Sequence, residues 1–166
     1  MEISRLSDRY LVRRMADDDI AEIYALCSKN TLYYMYCPPF VTKESIAGDM
    51  KALPQNKELS DKYYLGYYDG EKLIAVIDLI LNFPNKDMAF IGFFMTDVSV
   101  QNAGVGSRII DALCSYFRNL GFSGVRLGWV KGNPQAEHFW KKNRFIETGV
   151  TYDTEGYTVI VAQRIL

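Results

Sequence analysis

The sequence predicts an α/β chain of the α+β kind, with seven strands and four helices in the order strand, two helices, three strands, helix, strand, helix, two strands. Three observations carry that reading. Asp69-Gly70 separates the apolar runs 63–68 and 73–81, and this dipeptide tolerates the positive φ angles that a tight hairpin needs. Residues 88–98 form a long apolar strand that breaks into a glycine turn, after which apolar residues recur at helical spacing. Residues 145–152 and 157–165 flank Asp153-Thr154-Glu155-Gly156 as a closing hairpin. A simple doubly wound sheet does not produce this order.

The elements follow one by one. Residues 10–15 read as the first strand, and Asp17, Asp18 and Asp19 then offer N-cap oxygens, with Asp19 and Glu22 at capping-box spacing. Ile20, Ile23, Tyr24 and Cys27 line one face of the helix that follows, and Asn30 is a stop. Residues 32–40 crowd Tyr33, Tyr34, Tyr36 and Phe40 into a stretch read as a loop and closed by Pro38-Pro39. Those aromatics need partners: the core, a second copy of the chain, or an acceptor pocket. Thr42 caps a second helix whose stripe is Ile46, Met50 and Leu53, until Pro54 ends it. A polar linker, 56–62, leads to the first hairpin, and a loop at 82–87 leads to the central strand. The long helix after the glycine turn buries Val105, Ile109, Ile110, Leu113, Phe117 and Leu120, with Gly121 at the left-handed position just past its end. Val125, Leu127 and Trp129 alternate as a fifth strand. Asn133-Pro134 then opens a short helix, since asparagine caps and proline fits the first helical position, and Asn143 ends it.

Composition narrows the classes. At 166 residues the chain has the length of one domain, read as 1–166, with enough core to fold without metal or disulfide staples. Lysine plus arginine total 19 against 20 acidic residues, and no dense basic run argues for a nucleic-acid partner. No apolar run approaches the ~20 residues that span a bilayer, and the charged start Met1-Glu2-Ile3-Ser4-Arg5 lacks a secretory core, so a cytoplasmic protein is expected. Cys27, Cys37 and Cys114 are widely spaced and His138 is the only histidine, which favours reduced structural thiols and no metal. In a ligand cleft His138 could still take up a proton near neutral pH.

The glycine turn is where chemistry concentrates. A helix's first N–H groups have no intrahelical partner, the peptide dipoles sum there to roughly half a positive charge, and anions bind readily. Gly104 and Gly106 let a diphosphate approach the main chain. A dinucleotide fingerprint needs a third glycine where Ile109 stands, and no Gly-Lys-Ser/Thr exists for a P-loop. What remains, Gln101-x-x-Gly104-x-Gly106 after a strand and opening an amphipathic helix, resembles the acetyl-CoA pyrophosphate loop of the GNAT acetyltransferase superfamily. Asp17-x-x-Ile20 resembles that family's first-helix opening, and Asn133-x-x-Ala136-x-x-Phe139-Trp140-x-Lys142-x-x-Phe145 its last helix.

The resemblance spans the chain and implies a mixed, mostly antiparallel central sheet whose fourth and fifth strands splay around acetyl-CoA. It implies pantetheine pairing along Phe94, Met95 and Thr96, with Gln101 opening the loop. Diphosphate contacts would fall on Asn102, Ala103, Gly104, Val105, Gly106 and Ser107, with a further coenzyme contact at Asn133. A main-chain N–H of Phe94 or Met95 would stabilise the oxyanion formed when an amine attacks the thioester. The family's glutamate bases fall on Phe90 and Gly128, and its tyrosine acid on Trp140, so those roles do not transfer.

Asp78 is one substitute, because it interrupts an apolar strand and an unpartnered buried carboxylate is costly. As a base it would have a raised pKa; otherwise it binds the substrate amine, accepts structural hydrogen bonds or lies on a solvent face. Asp97 is a second base or a loop cap, and Tyr152 and Tyr157 are candidates for the acid. Tyr33, Tyr34, Tyr36 and Phe40 would shape a site for a small-molecule or peptide amine, and exposed tyrosines with a free strand edge would suit a homodimer. The leading expectation is an acetyl-CoA-dependent N-acetyltransferase. The alternatives are a non-catalytic acyl-CoA sensor or scaffold, and a structural protein of that shape without coenzyme.

Overall fold

The computed structural model describes residues 1–166. Seven strands, β1 (Leu11–Arg14), β2 (Lys62–Asp69), β3 (Lys72–Leu81), β4 (Met88–Thr96), β5 (Gly124–Val130), β6 (Ile146–Asp153) and β7 (Thr158–Ile165), form one sheet in the order β1-β2-β3-β4-β5-β7-β6. Every neighbouring pair is antiparallel except β4 and β5, which run parallel. The expected mixed, mostly antiparallel sheet is therefore present. Asp69-Gly70 turns β2 into β3 with Gly70 at φ +61°, and the closing hairpin forms where its turn residues stand.

There are five helices rather than the four the pattern predicts: α1 (Ile20–Cys27), α2 (Thr31–Tyr36), α3 (Lys43–Asp49), α4 (Val105–Asn119) and α5 (Pro134–Lys142). The extra one, α2, occupies the aromatic stretch read as a loop. Prolines restrict only themselves and the residue before them. The turns upstream of Pro38-Pro39 thus keep their hydrogen bonds, the last running from Cys37 N–H to the Tyr33 carbonyl at 3.0 Å.

The box expected of Asp19 and Glu22 is absent. Asp19 closes a single 3₁₀ turn, accepting the Ala16 N–H at 2.7 Å, and its carboxylate takes both Nη atoms of Arg13 at 2.8 Å. Glu22 instead accepts the Tyr68 hydroxyl at 2.8 Å. The Asp19 oxygens are thus taken by the Ala16 N–H and by a bidentate, charge-assisted pair, and none caps α1. Thr42 does cap α3, through the Ser45 N–H at 3.0 Å. That helix stops at Asp49, short of Pro54, and β4 gives way after Thr96 to a 3₁₀ turn, Val98–Val100.

Helices cover both faces of the sheet. On one face α4 buries Ile109, Ile110, Leu113 and Phe117 against Leu65, Ala75, Ile77, Val125 and Leu127. On the other, Ile23, Leu26 and Cys27 of α1 and Ile46 of α3 cover Tyr64, Val76 and Met95. β3 is therefore buried almost end to end, as a strand sandwiched between two layers must be. No helix is long and apolar enough to cross a membrane. The three cysteines are free, and burial pushes the Cys27 thiol up to about 12 and Cys114 to about 11.

Candidate functional site

The parallel pair comes apart. β4 and β5 are in register from Met88↔Gly124 to Ile91↔Leu127, yet β4 continues to Thr96 and β5 to Val130. Their outer edges stay occupied there, β4 by β3 and β5 by β7, so the parting leaves main-chain groups on the two facing edges without a ladder partner. Two features hold the strands open. A bulge between Asp78 and Leu79 breaks the β3–β4 register next to Gly92, the first β4 residue beyond the pairing. Phe94 then packs on Phe139 and Trp140 of α5, ring centroids 5.8 and 5.9 Å away, filling the wedge with aromatic surface.

The gap opens on the start of α4. Asn102 and Gly104 both take left-handed backbone, φ +59° and +76°, and Gly104 is the N-cap without a side-chain cap bond. The leading amides of α4 thus lack both intrahelical and side-chain partners, as an anion cradle requires. At Gly106 a β-carbon would stand 3.0 Å from Phe139, so glycine is also what lets α4 and α5 approach.

Together these elements enclose a cleft of about 310 Å³. Phe94, Met95, Thr96, Gln101, Asn102, Gly104, Val105, Gly106, Ser107 and Asn133 all line it, whereas Ala103 does not, its carbonyl accepting from Arg108 Nη2 at 3.3 Å. Asn133 is buried and caps α5, its Oδ1 accepting the Ala136 N–H at 3.1 Å, which leaves its NH₂ to serve a ligand. Gln101 is held from behind, Nε2 donating to Asn30 Oδ1 at 2.7 Å, while Asn30 Nδ2 donates to the Leu26 and Thr96 carbonyls at 3.2 Å. Asn30 lines the cleft too, with Tyr33, His138, Trp140 and Lys142. The pattern identifies Asn30 only as a helix stop; its structural task is to tie α1 to β4 and the glycine turn.

The aromatic stretch converges on the same region from the α1 face. Tyr33 meets Phe93 edge-on at 5.9 Å and Tyr34 at 5.0 Å, and Tyr34 leans on Phe40 at 4.9 Å. Tyr36 is half-buried and Phe40 is 46% exposed, so these two stand at the margin. The neighbouring Cys37 thiol, with burial, pushes the Tyr157 hydroxyl up to about 12, and burial raises the Tyr33 hydroxyl further still, with Cys37 and Tyr157 both adding to it. Tyr157 therefore reaches this cluster from the closing hairpin. Tyr152 does not: it is 62% exposed on the outermost strand and outside the cleft lining.

The carboxylates separate cleanly. Burial works to raise Asp97, but it is outweighed by the Ser99 side chain and N–H, the latter 2.9 Å from Oδ1, and by Lys29 Nζ 3.1 Å from Oδ2. Its carboxyl is held well below the usual range, which makes it a turn cap and a poor base. Asp78 is the opposite case. Burial raises its pKa against the opposing pull of Lys62, whose Nζ donates to Oδ2 at 2.7 Å, and its buried Oδ1 has no hydrogen-bond partner. Lys62 is itself only 3% exposed. At the positions of the missing glutamates, Phe90 packs on Phe83 at 5.4 Å, and a β-carbon on Gly128 would meet Val159 at 2.6 Å. No group of three or more His, Cys, Asp or Glu side chains gathers as a metal site.

Solved structures share this architecture. An acetyltransferase of Thermus thermophilus superposes with a TM-score of 0.74 at 15% identity, over 95% of this chain and 97% of that one. Ard1 of Thermoplasma volcanium gives 0.68 at 22% identity, over 95% and 98%. Spermidine N-acetyltransferase of Vibrio cholerae, solved in complex with CoA and spermine, gives 0.67 at 17% identity, over 96% of each chain. At these identities the likeness is one of fold. No curated protein matches the sequence significantly. The sequence profile of the Acetyltransferase (GNAT) family, however, matches residues 29–145, a span that runs from Asn30's neighbour through the parted strands and the glycine turn to just past α5. With well over half of its length matched, the chain belongs to the GNAT acetyltransferase family.

Proposed function

We propose that this protein moves an acetyl group from acetyl-CoA to a primary amine by direct attack in a ternary complex. The observation that carries the reading is the parting of β4 from β5 beyond Ile91 and Leu127, directly in front of the uncapped start of α4. Acetyl-CoA would supply the activated thioester. The free edge at Phe94, Met95 and Thr96 would hold its pantetheine arm by main-chain pairing. The amides of residues 102–107 would hold the diphosphate, and the Asn133 NH₂ would add a polar contact. An N–H of Phe94 or Met95 would donate to the thioester oxygen as charge develops there.

Asp78 is the base this reading assigns. Its pKa is raised by burial, Oδ1 is free, and its carboxylate overlies Gly92 where the strands part. Tyr33, Tyr34, Tyr36 and Phe40 would wall the acceptor site, with Tyr157 approaching from the other side. The Vibrio cholerae relative, named for spermidine and solved with CoA and spermine, supports amines as acceptors. Two observations favour a second reading, an acyl-CoA-binding module: no carboxylate lines the cleft itself, and Trp140 stands at the family's acid position.

Release of free CoA from acetyl-CoA, screened over polyamines, aminoglycosides, amino acids and peptide N-termini, tests both readings. Turnover on any amine supports the enzyme. Tight acetyl-CoA binding with no turnover on the whole panel supports the module, and no binding at all rejects both.

A further inference from the structure

The two helices that frame the cleft finish at their far ends in the same turn, with one difference. After α4, Gly121 takes left-handed backbone at φ +83°, its N–H donating to the Arg118 carbonyl and the Phe122 N–H to the Phe117 carbonyl, both at 3.0 Å. After α5 the pattern repeats, Arg144 N–H to Lys141 at 3.0 Å and Phe145 N–H to Trp140 at 3.1 Å, but the left-handed residue is Arg144 at φ +67°. An arginine in that conformation is strained where glycine is not. Its side chain lines a depression of about 300 Å³ together with Arg118 of α4 and Arg164 of β7.

The charges there do not cancel. Arg164, its side chain 8% exposed, uses only Nη1 inside the protein, donating to Asp111 Oδ1 at 2.7 Å and to the Asn143 carbonyl at 3.2 Å. Its Nε and Nη2 donate to no protein atom. Glu147 on the same wall is already paired with Lys141 at 2.9 Å, and neither Arg118 nor Arg144 has a carboxylate within ion-pair reach. Gln163 Oε1 accepts from Arg126 at 3.3 Å, so only its NH₂ remains to be offered. Two guanidinium groups, the spare face of a third and an amide therefore surround one cavity as donors.

We propose that this depression is a binding site for a small organic oxyanion, a phosphate ester or a carboxylate. Guanidinium forks match both groups. Ile146 and Ile165, 73% and 68% exposed at its edge, fit a short apolar body on the ligand. The site is separate from the cleft, because α4, with 15 residues, holds its two ends about 22 Å apart. A bound anion would tie together the C-terminal ends of the helices whose N-terminal ends face the cleft. None of this depends on acetyl transfer.

Isothermal titration of phenyl phosphate, phenylacetate and inorganic phosphate into the wild-type chain, Arg144→Gly, Arg118→Gln and the cleft variant Gly104→Val tests it. The wild type is expected to bind at least one of the two aromatic anions, and the tighter of them names the anionic group. Arg144→Gly should bind it at least about tenfold more weakly, as loss of a charged hydrogen bond implies, while its melting temperature stays level or rises. Arg118→Gln should also weaken binding, and Gly104→Val should not. No binding by the wild type would overturn the site. So would equal affinity in Arg144→Gly, or a loss confined to Gly104→Val, which would locate the anion in the cleft.

Discussion

Asp78 and Gly92 share one volume: a β-carbon on residue 92 would stand 2.7 Å from Asp78 Oδ2. A carboxylate rooted in β3 thereby lies over the first β4 residue that has lost its β5 partner. The catalytic glutamates expected of the family are absent from β4 and β5 themselves. The neighbouring strand brings a carboxylate over Gly92 because glycine leaves room for it.

Gly92→Ala should therefore act at a distance from its own chemistry. A methyl group at that point displaces the Asp78 carboxylate and disturbs its 2.7 Å contact with Lys62. Turnover should fall at least tenfold while acetyl-CoA affinity is retained. Wild-type kinetics in Gly92→Ala, measured as CoA release beside a coenzyme titration, would disconnect the two residues.

Asp78→Asn removes the carboxylate that the proposed reaction uses as base while keeping its shape. General-base catalysis is worth about 10²–10⁴-fold, so a loss of that order is expected with the coenzyme dissociation constant unchanged. The substitution also strands the buried Lys62 ammonium, at about 3 kcal/mol of stability. Thermal denaturation should register that loss, and assays belong well below the melting point. Undiminished turnover would exclude Asp78 from the mechanism.

The pH profile follows from the direction of the Asp78 shift. A base acts when ionised, and burial holds this carboxyl above the usual range, so kcat/KM should rise with pH through a midpoint above 3.8. In stability the same shift has the opposite sign. The group favours the fold most below 3.8, and that contribution is lost as pH rises through the raised pKa. A rate profile with the same acid limb in wild type and Asp78→Asn would assign the limb to another group.

Asp97 gives the complementary case. Its pKa is lowered in the fold, so its stabilisation is present above 3.8 and fades as pH falls through the depressed value. Acid unfolding of the wild type should accordingly steepen below about pH 4. Asp97→Asn should be less stable at pH 7 and lose less on acidification. Parallel acid-unfolding curves for the two proteins would contradict the pairing with Ser99 and Lys29.

What the chain reveals unaided is what short-range chemistry encodes. Asp69-Gly70, the Asn133-Pro134 cap and the Gly104 turn depend on neighbours in sequence, and each forms where its residues predict. The pairs made by folding are not legible in local sequence. Lys62 reads as the end of a polar linker, and becomes the partner of Asp78 only once the hairpin register sets Tyr64 opposite Asp78 and Lys62 opposite Ile80, on the same face two residues along. Asp19 looks like a cap until β1 brings Arg13 beside it. Tyr152 looks as well placed as Tyr157 until β6 proves to be the outer strand, which turns Tyr152 to solvent. For Lys62 a strand distant in sequence, for Asp19 the preceding strand and for Tyr152 the sheet order decides between two locally equal uses of a polar side chain.

Gly104→Val probes the site the whole proposal rests on. Residue 104 sits at φ +76°, where a β-branched side chain is strained, so the substitution has two effects. The turn loses stability, by roughly 1–2 kcal/mol, and its amides are reoriented and partly covered. If those amides hold a diphosphate, the dissociation constants for acetyl-CoA and for CoA should both rise at least tenfold. A pantetheine fragment without the diphosphate should bind almost as before, since the edge at Phe94, Met95 and Thr96 is untouched. Calorimetric titration of all three ligands separates these outcomes. Equal weakening of the fragment would mean that the mutation disturbs the entire cleft. Unchanged coenzyme affinity would mean that the start of α4 binds no phosphate, and the proposed activity would lose its physical basis.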